Sequence, residues 1–181
     1  MEANTPLLDE DVRLAPPDPA WPHMARDLKT LASVVTGVPE ERIEHIGSTA
    51  IAGLVAKPII DLMAGMVGPD ETEYTARRLS DAGWQDLGEA GVAGRRYLRC
   101  RIGFPVNVHL VIHSGDLWRD NINVRDYLRL NPGEAATYAQ LKRDIVARGH
   151  RRLIAYSDAK SKWVAELAQR ARSWREAKGR D

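Results

Sequence analysis

The chain has 181 residues, and its 26 Lys and Arg nearly balance its 25 Asp and Glu, for a formal net charge of +1. This balance disfavours nucleic acid as a partner, and the length suits one domain over residues 1–181, without a spacer for a second core. One cysteine, Cys100, excludes an internal disulfide, and no apolar run approaches the roughly 20 residues that cross a membrane. The acidic N-terminus does not resemble a secretory signal, so we expect a cytoplasmic protein.

Helices and strands alternate in the first half of the chain. Residues 1–11 are expected to be flexible, and a helix is predicted from Ala20 to Val35, with Gly37 beyond its end. An apolar stripe at every third or fourth residue should face the core of the protein. This stripe consists of Met24, Leu28, Leu31 and Val35.

Two strands follow, over Ile43–Ile46 and within Ile59–Met63, and a short helix after Ser48 should join them. A second helix is predicted over Glu71–Ala82, with Tyr74 and Leu79 facing inward.

The second half of the chain begins with two antiparallel strands, Arg95–Ile102 and Val106–Ile112, and is helical beyond them. The predicted helices cover Arg125–Leu130, Gly133–Ala147 and a long segment capped by Ser157. Residues 141–181 hold 12 Lys and Arg against 5 Asp and Glu, and we interpret their end, residues 175–181, as a basic, solvated tail. These elements predict an α/β (α+β) fold with a mixed sheet, flanking helices and a C-terminal helical segment.

A Gly-Ser turn lies between the first two strands. Gly47 permits a close approach of the backbone to a ligand, and Ser48 and Thr49 add hydroxyl groups. If a helix begins after Ser48, its first N–H groups would favour an anionic oxygen. We therefore predict that these residues bind phosphate, although a Gly-Ser pair by itself is more often only a turn.

Asp61 is a lone carboxylate within an apolar strand. Burial of a carboxylate is costly unless a cation meets it, so a metal ion, a lysine or an arginine is expected nearby. Lys57 is a candidate catalytic group or a local counter-charge. On a later strand, His109 lies on the face opposite the apolar residues, where imidazole can ligate a metal or act as a base. His45 is a further candidate ligand, and the alternative for His109 is a structural role.

Basic side chains of the second half complete the candidate site. Arg125 and Arg129 are four residues apart on one helix face, and Asp126 is spaced to pair with Arg129. They predict either a surface salt bridge or a fork of guanidinium groups for phosphate, and we favour the fork. Lys142 and Lys160 are predicted to bind phosphate on the same grounds.

The order of strand, Gly-Ser turn and acidic strand resembles the polymerase-β-type nucleotidyltransferase superfamily. That superfamily carries a second acid two residues after the first, where this chain has Met63. Longer motifs are similar to the GrpB-like family from Val12 to about Trp174, and the chain departs from them at Ala52 and Val124. The matching segments are D-P-A-W-P (18–22), H-I-G-S-T-A-I-A-G-L-V-A-K-P-I-I-D (45–61), H-L-V (109–111), R-D-Y-L-R-L-N-P (125–132) and Y-A-Q-L-K (138–142).

The resemblance implies a nucleotidyltransferase-like fold. From this resemblance and from the residues above, we expect an enzyme that transfers nucleotidyl or phosphoryl groups. It would use Mg²⁺ or Mn²⁺ and a nucleoside triphosphate, with ATP as the first candidate. Its partner would be a small-molecule acceptor, such as a carboxylate to be activated. The alternative is a non-catalytic regulatory module that binds a nucleotide or a coenzyme A precursor, and Met63 is the feature that favours it.

Overall fold

In a computed structural model, which describes residues 9–179, the chain forms a mixed sheet with helices on both faces. The strands are β1 (Ile43–Ile46), β2 (Ile60–Met66), β3 (Gln85–Asp86), β4 (Arg96–Cys100) and β5 (Val106–Ile112). Their order across the sheet is β1-β2-β5-β4-β3, with β2 and β5 parallel and the other neighbouring pairs antiparallel. The helices are α1 (Trp21–Thr36), α2 (Pro69–Asp81), α3 (Asp116–Leu130), α4 (Pro132–Ala147) and α5 (Leu153–Lys178). This architecture confirms the predicted α/β (α+β) fold.

One face of the sheet carries the main hydrophobic core. Alternate residues of β2 and β5, such as Leu62 and Val108, are buried there with Trp21 of α1 and Leu79 of α2. The strand period of two then sends the residues between them, including Asp61 and Asn107, to the opposite face. The parallel register aligns Asp61 with Asn107 and Met63 with His109. The polar residues of two neighbouring strands therefore share one surface.

Two predicted core positions are exposed instead. Leu31 of α1 is 53% exposed and Tyr74 of α2 is 56% exposed. The buried residues of α1 are Trp21, Ala25, Ala32 and Thr36. Alanines allow α1 to lie close to the sheet, so they define its inner face, whereas the predicted stripe was built from larger apolar residues.

Helix α5 begins at Leu153, so Ser157 is inside the helix and the prediction that it caps the helix was wrong. The segment before α1 supplies the hydrogen-bond acceptors for the first N–H groups of α5, and we call this segment, which includes Asp9 and Glu10, the N-terminal arm. The Leu153 N–H donates to the Glu10 carbonyl at 2.8 Å, and the Ile154 N–H donates to Asp9 Oδ1 at 3.1 Å. Asp9 thus has the role of a capping residue, and its bond to the Ile154 N–H holds the pKa of its carboxyl below the usual range.

Three further boundaries differ from expectation. Helix α3 begins at Asp116, nine residues before the predicted start at Arg125. The link after Ser48 is one 3-10 turn, Ser48–Ala50, so the predicted helix N-terminus at this site does not form. Residues 1–8 of the segment expected to be flexible lie outside the described residues, whereas Asp9 and Asp11 form ion pairs with Arg152. None of the helices described is long and apolar enough to cross a bilayer.

The inner face of α2 can be tested by a pair of substitutions. Leu79→Ala should lower the free energy of unfolding by about 2 to 5 kcal/mol because Leu79 is fully buried, whereas Tyr74→Ala should cost less than about 1 kcal/mol. Urea denaturation of both variants measures the difference. Equal losses in the free energy of unfolding would contradict this prediction and would mean that Tyr74 packs in the core as Leu79 does.

Candidate functional site

A cavity of about 620 Å³ opens on the polar face of the sheet. Its walls come from the Gly47–Thr49 turn, the strands that carry Asp61 and His109, helix α4 and the first turns of α5. The charged residues that line it are Lys57, Asp61, Arg95, Lys142, Asp158 and Lys160. The cavity therefore brings together eight of the predicted site residues: Gly47, Ser48, Thr49, Lys57, Asp61, His109, Lys142 and Lys160.

Asp61 is the carboxylate on the floor of this cavity, with 26% of its side chain exposed. Asn107 Nδ2 donates to Asp61 Oδ1 at 2.6 Å, and His109 Nε2 lies 3.5 Å from the same oxygen. Burial by itself would raise the pKa of Asp61, but the His109 ring beside it, the hydrogen bond from Asn107 and the charge of Lys57 outweigh burial and lower this pKa to about 2. Asp61 is therefore an anion throughout the neutral range.

A chain of polar contacts behind Asp61 fixes the Asn107 amide. Arg101 Nη2 donates to Asn107 Oδ1 at 2.9 Å, so the Nδ2 group of Asn107 is directed to Asp61. Arg101 is in turn held by Glu10, whose two oxygens accept from its Nε and Nη2 at 2.9 Å. Neither Arg101 nor Glu10 was predicted from the sequence, although the position of Arg101 just beyond β4 and next to Val106 placed it within reach of β5.

Among the residues that the structure describes, one buried nitrogen of His109 has no hydrogen-bond partner. Its Nε2 has negligible solvent exposure and satisfies no hydrogen-bond geometry with Asp61 despite the 3.5 Å separation. Its Nδ1 lies 3.5 Å from Arg95 Nη1, and Tyr97 packs edge-on against the ring at 5.2 Å between centroids. Arg95 also donates to the carbonyls of Glu89 and Ala90, which holds the loop at the cavity rim.

This pair of donors fits one divalent cation. Two ligands of an octahedral Mg²⁺ are about 3 Å apart, so Asp61 Oδ1 and His109 Nε2 would close by about half an ångström to share one ion. Within residues 9–179 there is no group of three His, Cys, Asp or Glu arranged to hold a metal, so the other ligands would come from waters or from phosphate oxygens. His45 is not part of this pair. It is aligned with Leu62 on the opposite face of the sheet, and its Nε2 lies 2.9 Å from Thr49 Oγ1.

Gly47 allows the turn to pass directly over Asp61. Its φ of +71° lies in the left-handed region, and a Cβ at this position would lie 2.6 Å from Asp61 Oδ2. Any other residue would both strain the backbone and displace the carboxylate. The requirement for glycine here is consequently a requirement of the site rather than of the turn alone.

The three lysines of the cavity differ in their surroundings. Lys57 and Lys160 are half-buried, and Lys57 faces the negative charge of Asp61. Lys142 is 1% exposed, and its Nζ donates to the Val55 carbonyl and to Ser48 Oγ, the latter at 3.2 Å. Burial, with the nearby charges of Lys160 and Arg143, lowers the pKa of Lys142 to about 7.

Arg125 and Arg129 lie outside the cavity. Arg125 Nη1 donates to Glu44 Oε2 at 2.6 Å and to the His45 carbonyl, and its Nε donates to Asp126 at 3.0 Å, so it ties α3 to β1. Arg129 Nε donates to the Ala50 carbonyl at 2.9 Å, and its side chain lines a second, largely apolar groove. Asp126 pairs with Arg125 and Arg175, and not with Arg129 as the helical spacing predicted.

A sequence profile of the family described as GrpB protein matches residues 11–170. The chain belongs to the GrpB family. This finding confirms the resemblance drawn from the sequence motifs.

Individual relatives agree with this family assignment, and a solved structure among them shares the fold. The crystal structure of conserved protein GrpB from Enterococcus faecalis superposes with a TM-score of 0.76 at 27% identity, over 90% of this chain and 99% of that one. A UPF0157 protein of Deinococcus radiodurans is 32% identical over 173 residues, which cover 90% of this chain and 84% of the relative. A dephospho-CoA kinase of Mycobacterium tuberculosis is 29% identical over 91% of this chain but only 47% of its own length, so this GrpB chain spans about half of that protein.

Met63 lies two residues after Asp61 on β2 and is not among the residues that line the cavity. It is fully buried on the same face as Asp61 and packs with Ile46, Val111 and Trp118 beneath α3. The polar face of the sheet therefore has two parts in this GrpB chain, with a charged part around Asp61 and a dry part around Met63.

Removal of Arg125 should destabilise the fold and leave the cavity intact. Arg125→Met removes three hydrogen bonds of a side chain that is 12% exposed and leaves Glu44 without its partner, so we expect a loss of about 2 kcal/mol in the free energy of unfolding. Arg129→Met, on the exposed face of the same helix, should cost less than about 1 kcal/mol. Denaturation with urea checks both values. If Arg125→Met instead abolished anion binding at unchanged stability, the predicted guanidinium fork would be the correct interpretation.

Replacement of Met63 by an acid should not create a metal ligand. Met63→Asp places an unpaired carboxylate among apolar side chains, and we expect it to lower the free energy of unfolding by on the order of 3 kcal/mol. Met63→Leu keeps the volume and should cost less than about 1.5 kcal/mol. Denaturation curves and Mg²⁺ titration of the two variants test this. A Met63→Asp protein with parental stability and tighter Mg²⁺ binding would show that position 63 can reach the ion.

Proposed function

We propose that this GrpB chain binds a phosphorylated small molecule in the cavity above Asp61. The first candidate for this ligand is a nucleoside triphosphate. The observation that carries the proposal is the charge of the cavity wall. Lys57, Arg95 and Lys160 face the two acids Asp61 and Asp158 within one volume of about 620 Å³, and the amine of Lys142 lines the same wall. A concave site with an excess of cationic side chains favours an anionic ligand of this size.

The residues divide into two groups in this proposal. Lys57 and Lys160 supply charge for phosphate oxygens, and Gly47 to Thr49 supply backbone and hydroxyl donors at the edge of the same cavity. Asp61 and His109 would hold one divalent cation, Mg²⁺ or Mn²⁺. When bound, such a cation would supply positive charge to offset the charge that develops on the transferred group.

The reaction that fits this arrangement is transfer of a nucleotidyl or phosphoryl group to a small acceptor, a carboxylate being one candidate. Asp61 is ionised near pH 7, so it is ready to hold the ion without releasing a proton. Lys57, which lines the cavity and faces the charge of Asp61, is the side chain we assign to the charge of the leaving group.

A second candidate function is a regulatory module that binds a nucleotide or a coenzyme A precursor without turnover. Met63 favours it, because the carboxylate that would help to hold a second ion is replaced by a packed apolar side chain. The likeness to half of a dephospho-CoA kinase favours a coenzyme A precursor among the ligands to be tried.

Two lysines of α5 provide a matched test of ligand binding. Lys160 lines the cavity, whereas Lys162 is exposed on the same helix and does not. Lys160→Met should weaken ATP binding by about tenfold or more, since a hydrogen bond to a charged group contributes about 1.5 to 3 kcal/mol, and Lys162→Met should leave it unchanged. Isothermal titration calorimetry with ATP, CTP, GTP and dephospho-coenzyme A, each with and without Mg²⁺ or Mn²⁺, measures the affinities.

Turnover separates the two candidate functions. Release of phosphate or pyrophosphate in the presence of an acceptor panel should be detectable for the parent chain and lost in Asp61→Asn, which retains the size of the side chain but not its charge. Tight binding without turnover by the parent chain would favour the regulatory module. If no phosphorylated compound binds, or if Lys160→Met and Lys162→Met behave alike, the cavity is not the ligand site.

A further inference from the structure

Ser48 and Lys142 form a close pair in the wall of the cavity. Ser48 lies at the start of the 3-10 turn, and Lys142 reaches it from α4 with 3.2 Å between Nζ and Oγ. Both residues line the cavity, so the serine hydroxyl is accessible from its interior. The distance is within the range of a nucleophile and its base.

The Lys142 amine lacks the acidic partner that a buried ammonium group needs. No ion pair of Lys142 occurs within the described part of the chain, and its nearest partners are the Val55 carbonyl, Ser48 Oγ and the face of Tyr138, whose centroid is 4.5 Å from Nζ. Lys160 and Arg143 add positive charge around it. Burial without an acidic partner, together with these positive charges, favours a neutral amine, which can accept a proton, over an ammonium ion.

The base is also held in a fixed position. The Val55 carbonyl accepts from Nζ, and the ring of Tyr138, one turn earlier on α4, covers one side of the amine. A nucleophile, a base within hydrogen-bond reach and a third group that orients the base are the features by which an activated serine is recognised.

We propose that Ser48 is a nucleophile activated by Lys142, and that the cavity carries out acyl transfer from a small anionic ester or thioester. Ser48 Oγ forms a bond to the carbonyl carbon while the hydroxyl proton passes to Lys142 Nζ. The bond from that carbon to the leaving oxygen or sulfur breaks, and the leaving group takes the proton from Lys142. Water then attacks the acyl carbon and gives a proton to Lys142. The bond from that carbon to Ser48 Oγ breaks, Oγ takes the proton back from Lys142, and the acid is released.

The other basic residues of the cavity wall indicate that the substrate is anionic. Lys57, Lys160 and Arg95 line the same cavity and favour a carboxylate or phosphate elsewhere on the ester. This inference does not rest on the nucleotide-binding proposal, because the serine and the lysine act without a nucleotide or a metal.

An alkyl fluorophosphonate is the probe for an activated serine, since its phosphorus bonds to Oγ as fluoride leaves. Intact-mass spectrometry should show one label per chain, and peptide mapping should locate it at Ser48. Labelling should fall at least about 100-fold in Ser48→Ala, Lys142→Met and Lys142→Arg, the last of which keeps the charge but is not a base near neutral pH. Ser157→Ala, which removes another hydroxyl from the cavity wall, should be labelled as the parent is.

The pH profile of the parent chain provides a measurement that needs no variant. The labelling rate should rise as pH increases through about 7, where Lys142 loses its proton. Turnover of the 4-nitrophenyl monoester of succinic acid should exceed that of 4-nitrophenyl acetate by about tenfold or more if the basic wall selects an anion.

Three outcomes would overturn the proposal. They are absence of a label on Ser48 in the parent chain, equal labelling in Lys142→Met, and a rate that does not depend on pH between 5 and 9. Labelling without a preference for the charged ester would overturn the substrate class alone. Nucleotide binding measured in the same preparation is independent of each of these outcomes, so failure of one proposal is distinguishable from failure of the other.

Discussion

The site of this GrpB chain depends on a single buried carboxylate that is kept ionised on a central strand. An aspartate between apolar neighbours on β2 is costly unless donors or positive charges lie near it. Asn107 provides a hydrogen bond, His109 lies beside the carboxylate, and Lys57 provides a positive charge. This arrangement has requirements of its own. Asn107 must be oriented by Arg101, Arg101 must be balanced by Glu10, and the turn above must be a glycine. The need to stabilise one charge thereby determines residues on two strands, a turn and the N-terminal arm.

The same face of the sheet is apolar two residues further along β2. Met63 is packed beneath α3 and excludes water from that part, whereas Asp61 opens into the cavity. A second carboxylate at position 63 would need its own set of donors, whereas Met63 packs with the apolar side chains of Ile46, Val111 and Trp118. The chain therefore holds charge at one end of this surface and uses the other end to anchor a helix.

Sequence patterns predicted those parts of the structure that depend on neighbours along the chain. The two strands that carry Asp61 and His109 were found because apolar residues alternate or run together there, and the side of β5 that His109 occupies followed from the strand period. The faces of α1 and α2 were misjudged at Leu31 and Tyr74, because alanine and threonine can line a tightly packed interface as well as larger residues can. The cap of α5 could not be predicted, since its acceptors come from Asp9 and Glu10, over 140 positions earlier. For the same reason, spacing along the chain could not distinguish the roles of Arg125 and Lys142, because both are basic residues on helices and only their partners differ. Arg125 holds a helix to a strand, whereas Lys142 reaches into the cavity wall.

The N-terminal arm connects the two walls of the cavity mechanically. The Glu10 side chain accepts from Arg101, and the Glu10 carbonyl accepts from the first turn of α5. The Val12 N–H donates to the Arg151 carbonyl, and the Ala15 N–H donates to the Ala56 carbonyl. The arm therefore contacts both the residues that orient Asp61, through Arg101 and Asn107, and the helix that carries Lys160. One short segment before the first helix thus helps to position the acid of the cavity and its helical wall together.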